Sequence, residues 1–184
     1  MEIWDLYDIN RIPTGETMIR GEKIKENRYH LAVHICIFNK QGEMLIQHRQ
    51  PFKSGWSDLW DITVGGSAVS GDTSQTAAER EVLEEIGYKL DLSNIRPSFT
   101  INFKNGFNDI YLVEREIEID TLKLQYEEVK EVKWATADEI KSMIESGEFI
   151  PYDKSFIDML FFLRNHNGLH TSCLLYTSDA ADEL

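Results

Sequence analysis

From Tyr29 to Phe38 the chain reads YHLAVHICIF, with Leu31, Val33, Ile35 and Ile37 on one face and His30, Ala32, His34, Cys36 and Phe38 on the other. That period of two predicts a β-strand. NKQGE then predicts a hairpin turn and MLIQHRQ the returning strand. LWDITVG predicts a short strand leading into Gly65 and Gly66, and SFTINF, DIYLVEREIEI and VKEVKWA predict three more. Ahead of them, WDLYDINRIPTGETMIRG predicts a small hairpin within residues 1–28, with Asn10, Pro13 and Gly15 as turn residues.

Three stretches switch to helical spacing. In the first, Thr73 to Ile86, Asp72 is placed to cap the free N–H groups, Gln75 to complete a capping box and Gly87 to end the helix. TADEIKSMIESG carries a start signal in Thr136 and Glu139 and a stop signal in Gly147. PYDKSFIDMLFFLRN has Pro151 near its first turn and is expected to bury Phe156, Met159, Leu160 and Leu163. Strands interleaved with a few helices predict an α/β (α+β) sandwich, a mixed sheet with helices packed on both sides.

The 184 residues suffice for one domain, expected over residues 1–172. CLLYTSDAADEL, Cys173 to Leu184, breaks with the pattern before it. It is similar to the translated read-through of a sequencing-library adapter, so residues 173–184 read as a non-native tail and Cys36 as the one natural cysteine. A net charge of −13 repels polyanions and excludes a nucleic-acid polymer as the expected partner, while a small anion bound through metal ions stays compatible. No apolar run nears the roughly 20 residues that span a bilayer. MEIWDLYDIN lacks a basic-then-apolar signal, and the cysteines form neither a disulfide framework nor a zinc pattern. A cytoplasmic, reduced setting is the expectation.

The charge matters most on the first helix. Each helical residue advances about 100°, so Glu84 and Glu85 lie about 60° and 40° to either side of Glu81. The three carboxylates share one arc, and Val82, Leu83 and Ile86 form the opposite, buried stripe. Packed so closely, the acids raise one another's pKa unless a cation neutralises them. Mg²⁺ or Mn²⁺ suits such oxygen ligands and keeps positions open for substrate phosphates. The adjacent glycines let the backbone approach and offer a carbonyl. On the three glutamates alone, a solvated acidic face is the commoner explanation of the pattern.

The full spacing resembles the Nudix box: glycine, five residues, an acid, seven residues, then Arg-Glu-aliphatic-x-Glu-Glu-x-Gly. Gly66 opens it, and Arg80, Glu81, Val82, Glu84, Glu85 and Gly87 fall in register. Asp72 stands where the family usually has glutamate, the acid that braces the loop against the arginine, and its shorter side chain is expected to reach less far. The resemblance implies metal-dependent hydrolysis of a diphosphate linkage in a small substrate of the nucleoside-diphosphate-X type. It implies Glu81 and Glu85 as direct metal ligands beside Glu84, with the Gly65 carbonyl assisting. Because the family places its general base variably, Glu85 is the first candidate and Glu128, in QYEEVKEVKW, the second. Arg49 and Lys53 flank the segment as phosphate-binding candidates. Trp56, Trp60 and Phe107 are candidates for stacking or for the core, and the core is the commoner fate of aromatics.

Most of residues 1–172 further resembles a Nudix subgroup related to isopentenyl-diphosphate isomerase. That enzyme uses a cysteine as acid and an adjacent histidine as metal ligand; here Gly65 and Ser67 stand at those places, Lys23 falls near a further metal-binding histidine, and only His30 keeps its identity. A ligand-binding sensor domain is the alternative to the hydrolase, and an isomerase-type enzyme the next. The N-terminal hairpin can pack on its own domain or, in a homodimer, on a neighbour's.

Overall fold

The structure, a computed structural model, describes residues 2–166. The expected tail at 173–184 lies outside the described residues. In chain order the elements are β1 Ile3–Tyr7, β2 Pro13–Ile19, β3 His30–Phe38, β4 Met44–Arg49, β5 Trp60–Asp61, β6 Val64–Ser67, α1 Ser74–Ile86, β7 Phe99–Phe103, β8 Gly106–Glu114, β9 Val129–Ala135, α2 Ala137–Ser146 and α3 Lys154–Leu163. No helix among the described residues is long and apolar enough to cross a membrane.

β3 is buried on both faces, as its two apolar rows require. Leu31, Val33, Ile35 and Ile37 pack with Ala78, Val82 and Ile86 of α1, while Cys36 and Phe38 pack with Ile140 of α2 and Ile157 and Leu160 of α3. Each Val, Leu, Ile and Phe among them contributes about 1.5–3 kcal/mol on burial. The result is a mixed sheet between α1 and the α2–α3 pair. β3 runs parallel to β8, from His30↔Gly106 to Phe38↔Glu114, and β7 lies antiparallel outside β8. β4 meets β3 only at Phe38↔Met44. Beyond that point β5 pairs with β4 and β6 with β3, and β9 pairs along β4. LWDITVG is therefore two strands, not the single one its composition predicts. Thr63 holds the crossing: its hydroxyl donates to the Leu45 carbonyl (2.5 Å) and accepts from the Ile37 N–H (2.9 Å).

Other departures are local. DIYLVEREIEI stops being strand at Glu114, where its partner β3 also ends. In α3 the buried residues are Ile157, Leu160 and Phe161, while Met159 is exposed and Phe156 and Leu163 are half-buried. Pro151 precedes α3, whose cap is Asp153, accepting from the Ser155 N–H (2.8 Å). The hairpin turn falls on 8–12, where the Asp8 carboxylate accepts from the N–H groups of Asn10 and Ile12 (2.9 Å each). Pro13 and Gly15 belong to β2 instead, because that Asp8 turn already reverses the chain.

The hairpin is joined to the domain along its length, with Ile3 and Asp5 accepting from Ser70 and Gly71 of the loop before α1. Tyr7 and Tyr29 exchange backbone hydrogen bonds of 2.8 and 3.0 Å. At its tip Arg11 pairs with Asp109 of β8, which has no solvent exposure. Asp109 also accepts from the hydroxyls of Ser74 and Thr100 (2.6 Å each), so one buried carboxylate ties hairpin, sheet and the first residue of α1. Asp109→Ala leaves those donors unpaired and is expected to cost about 3 kcal/mol. Urea unfolding measures this; a loss no larger than the roughly 0.5 kcal/mol of a neutral surface change contradicts the role.

Candidate active site

α1 starts one residue later than Asp72 capping implies. Thr73 is the cap: its hydroxyl accepts from the Thr76 N–H (3.2 Å), and the Thr76 hydroxyl accepts from the Thr73 N–H (2.8 Å). Gln75 takes no part, since Thr76 is the residue three beyond the true cap. Gly87 ends the helix in the left-handed conformation (φ 68°), which glycine adopts without strain. The buried residues are Ala77, Ala78, Val82, Glu85 and Ile86. Leu83, expected in that stripe, is 53% exposed, and Glu85 takes its place at 6%. The buried arc centres between Ala78 and Val82, which draws Glu85 in and turns Leu83 out by about 100°.

The glycine pair lies on β6 beside β3, with Gly65 opposite His34 and Gly66 opposite Val33. Both are closely approached by side chains. A Cβ on Gly66 would overlap the Glu81 carboxyl group, and one on Gly65 would lie 2.7 Å from the His34 ring. Arg80 then locks loop to helix. Its guanidinium donates to the Ser67 carbonyl (3.0 Å), to Asp72 (3.0 and 3.2 Å), to Glu81 (3.0 Å) and to Glu84 (3.2 Å). Asp72 does reach its arginine, shorter side chain notwithstanding, and also accepts from the Val69 N–H (3.1 Å).

These elements frame a cleft of about 180 Å³. Glu81, Glu84, Glu85, Gly65, Gly66 and Arg80 line its helix side, and Arg49, Lys53 and Glu128 line the facing loops. Asp72 and Gly87 stay outside the lining and act on the loop and the helix end. Three further lining residues escaped the sequence reading: Glu2 and Arg20 from the hairpin, paired at 2.9 Å, and Gln125. So did Gln47 of β4, whose amide donates to Glu85 (3.0 Å). Nothing near those positions in the chain marks them, because each arrives by tertiary packing. Glu128 is ion-paired with Lys53, and Arg49 donates to the Gly55 carbonyl (3.2 and 3.1 Å).

Burial dominates the electrostatics. It pushes the Glu85 carboxyl up to about 8, with Glu81 and Asp61 adding to the rise and Gln47 opposing it. Burial also raises Glu81, against the pull of Arg80, and lowers Lys53, aided by Arg49. With Glu81 and Glu84 turned to Arg80 and Glu85 to Gln47, no three acidic, histidine or cysteine side chains among the described residues are clustered as they stand to hold a metal ion. The donor set itself fits a hard divalent cation: three carboxylates and the glycine pair line one wall, one carboxylate buried without a counter-charge in contact.

Residues 28–158 match the NUDIX domain family. The chain belongs to the Nudix family. It is 46% identical over 170 residues to an uncharacterized Nudix hydrolase of Listeria monocytogenes, covering 92% of this chain and 99% of the relative. It is 30% identical over 146 residues to isopentenyl-diphosphate Delta-isomerase of Salmonella typhi, covering 77% of this chain and 79% of that enzyme. A solved structure from Deinococcus radiodurans shares the fold, with a TM-score of 0.69 at 22% identity over 86% of this chain and 99% of that one. An enzyme with the Nudix hydrolase box is the assignment these likenesses carry.

Other candidates settle into the Nudix frame. His30 is buried and stacked on Trp4 (4.3 Å), outside the cleft lining, and burial lowers its pKa. Phe107 is core, Trp60 is half-buried against His48, and Trp56 is exposed. Cys36 has no exposure, and burial raises its thiol pKa.

Two outcomes follow from this geometry. Glu85 ionises near 4.5 when unfolded and near 8 when folded, so the folded state keeps a proton that the unfolded state releases between those values. Its contribution to stability therefore falls as pH rises from about 4.5 to about 8. Thermal melting without metal should show Tm declining across that window, a flatter profile in Glu85→Gln, and recovery at pH 8 on adding Mg²⁺. An identical slope in the variant contradicts the burial assignment. Gly66→Ala, which must push the Glu81 carboxyl aside, should lower stability by about 1 kcal/mol in urea unfolding; an unchanged midpoint would show that Glu81 yields without cost.

Proposed function

We propose that this protein hydrolyses a diphosphate linkage in a small nucleoside-diphosphate-X type substrate, with Mg²⁺ or Mn²⁺ as cofactor, in the cytoplasm. One observation carries the reading: the buried carboxylate of Glu85 shares a cleft with Glu81, Glu84 and the cations Arg49 and Lys53. Glu81, Glu84, Glu85 and the Gly65 carbonyl would hold the cation. Bound there, it supplies charge neutralisation on the phosphates and a lowered pKa for water. Arg49 and Lys53 bind the phosphate oxygens and orient the chain of phosphates along the cleft. Gln47 holds Oε2 of Glu85, leaving Oε1 to take a proton from the attacking water as its oxygen bonds to phosphorus and the bridging P–O bond breaks. Glu128 is the second candidate base, and its ion pair with Lys53 must open before it can serve.

The isomerase alternative needs a thiol acid. Among the described residues the only cysteine is Cys36, packed with α2 and α3 on the sheet face away from α1. That favours hydrolysis over double-bond protonation. A panel of nucleoside and sugar diphosphates, assayed for phosphate release with Mg²⁺ or Mn²⁺, tests the proposal. Glu85→Gln should lower turnover by about 10²–10⁴-fold, and Glu128→Gln by less. Tight binding with no turnover of any panel member would move the protein to the sensor class.

A further inference from the structure

The hairpin precedes the family-matched residues 28–158, yet it places Glu2 and Arg20 in the cleft. Its backbone there is fixed. β1 and β2 pair at Ile3↔Ile19, and one residue further out the Arg20 N–H donates to the Glu2 carbonyl (3.0 Å). The Ser70 N–H donates to the Ile3 carbonyl (2.7 Å), and the Ser70 hydroxyl and Gly71 N–H donate to the Asp5 carboxylate (2.7 and 2.8 Å). Those bonds seat β1 on the same loop that Arg80 locks to α1.

The cations lining the cleft are unequally committed. Arg80 braces the loop, Arg49 donates to the Gly55 carbonyl, and Lys53 is paired with Glu128. The Arg20 side chain is 60% exposed and pairs, among the described residues, only with the Glu2 carboxylate, itself 44% exposed. Its Nη1 donates to both Glu2 oxygens, at 2.9 Å each. An ion pair so open to water contributes roughly 0–1 kcal/mol. Both charges are nevertheless felt inside the cleft. Burial lowers the Lys53 pKa, with Arg49 and Arg20 adding to the fall, and burial raises that of Glu81, with Glu84 and Glu2 adding to the rise.

We propose that Arg20 is a third phosphate-binding residue of the cleft, occupied by the Glu2 carboxylate until a diphosphate takes its place. This rests on the reading of the cleft as a diphosphate site. A carboxylate and a phosphate present the same paired oxygens to a guanidinium, and the phosphate brings more charge. Glu81, Glu84, Glu85 and Glu128 repel such a ligand. An arginine that leaves its partner at little cost adds attraction where the lining otherwise opposes an anion. The hairpin is then an arm of the binding site, with a fixed backbone and an exchangeable side chain.

Calorimetry with methylenediphosphonate in Mg²⁺, a P–C–P probe that is not hydrolysed, tests this. Arg20→Ala should weaken binding about 5- to 50-fold, and Arg20→Lys should restore part of the loss. Glu2→Gln removes the competing charge and should tighten binding about 2- to 5-fold. Added to Arg20→Ala, the same Glu2→Gln change should bring no gain. The proposal is overturned if Arg20→Ala binds the probe as the wild-type protein does, if Glu2→Gln gains as much without Arg20 as with it, or if the wild-type protein does not bind the probe. The hydrolase reading fails by a different result, phosphate release undiminished in Glu85→Gln, which leaves the Arg20 comparison intact.

Discussion

The guanidinium of Arg80 is the interaction on which the site depends. Four acids of the motif, Asp72, Glu81, Glu84 and Glu85, crowd one helix and the loop before it, and like charges so placed work against the fold. Arg80 contacts three of the four and a loop carbonyl besides. It thereby holds the glycine loop against α1 at the separation where the Glu81 carboxyl lies on Gly66. Asp72 serves this contact while Thr73 caps the helix.

Glu85 carries the cost of that arrangement. An amphipathic helix ordinarily buries only apolar residues, yet here the stripe formed by Ala78, Val82 and Ile86 includes a carboxylate beneath β4. Gln47 supplies one hydrogen bond and no charge. Burial with so little compensation holds the proton on, and a cation is what would release it. Stability given up at this position is consistent with a group placed for chemistry rather than for packing.

The hairpin completes the cleft from outside the family-matched segment. Glu2 and Arg20 reach it from residues before 28, where the family match begins. Asp109 secures the far end of the hairpin through Arg11 and the near end of α1 through Ser74, so the rim and the helix share one buried anchor. Arg20, Arg49, Lys53 and Arg80 thus face Glu2, Glu81, Glu84, Glu85 and Glu128 across one small space, in a chain whose overall charge is strongly negative.

Local signals in the sequence sufficed for the alternating strand of Tyr29 to Phe38, the helices closed by Gly87 and Gly147, and the glutamate box itself. Each depends on residues within one turn or one strand, where periodicity and capping chemistry act directly. Packing decided the rest. Leu83 and Glu85 exchanged places because the direction of the buried arc depends on what covers the helix, not on the helix alone. Pro13 and Gly15 became strand because Asp8 had already turned the chain. LWDITVG split in two because β3 and β4 diverge around Thr63. Gln47, Arg20 and Gln125 reached Glu85 or its cleft from sequence-distant strands and loops, and no periodicity encodes a meeting that only the folded sheet brings about.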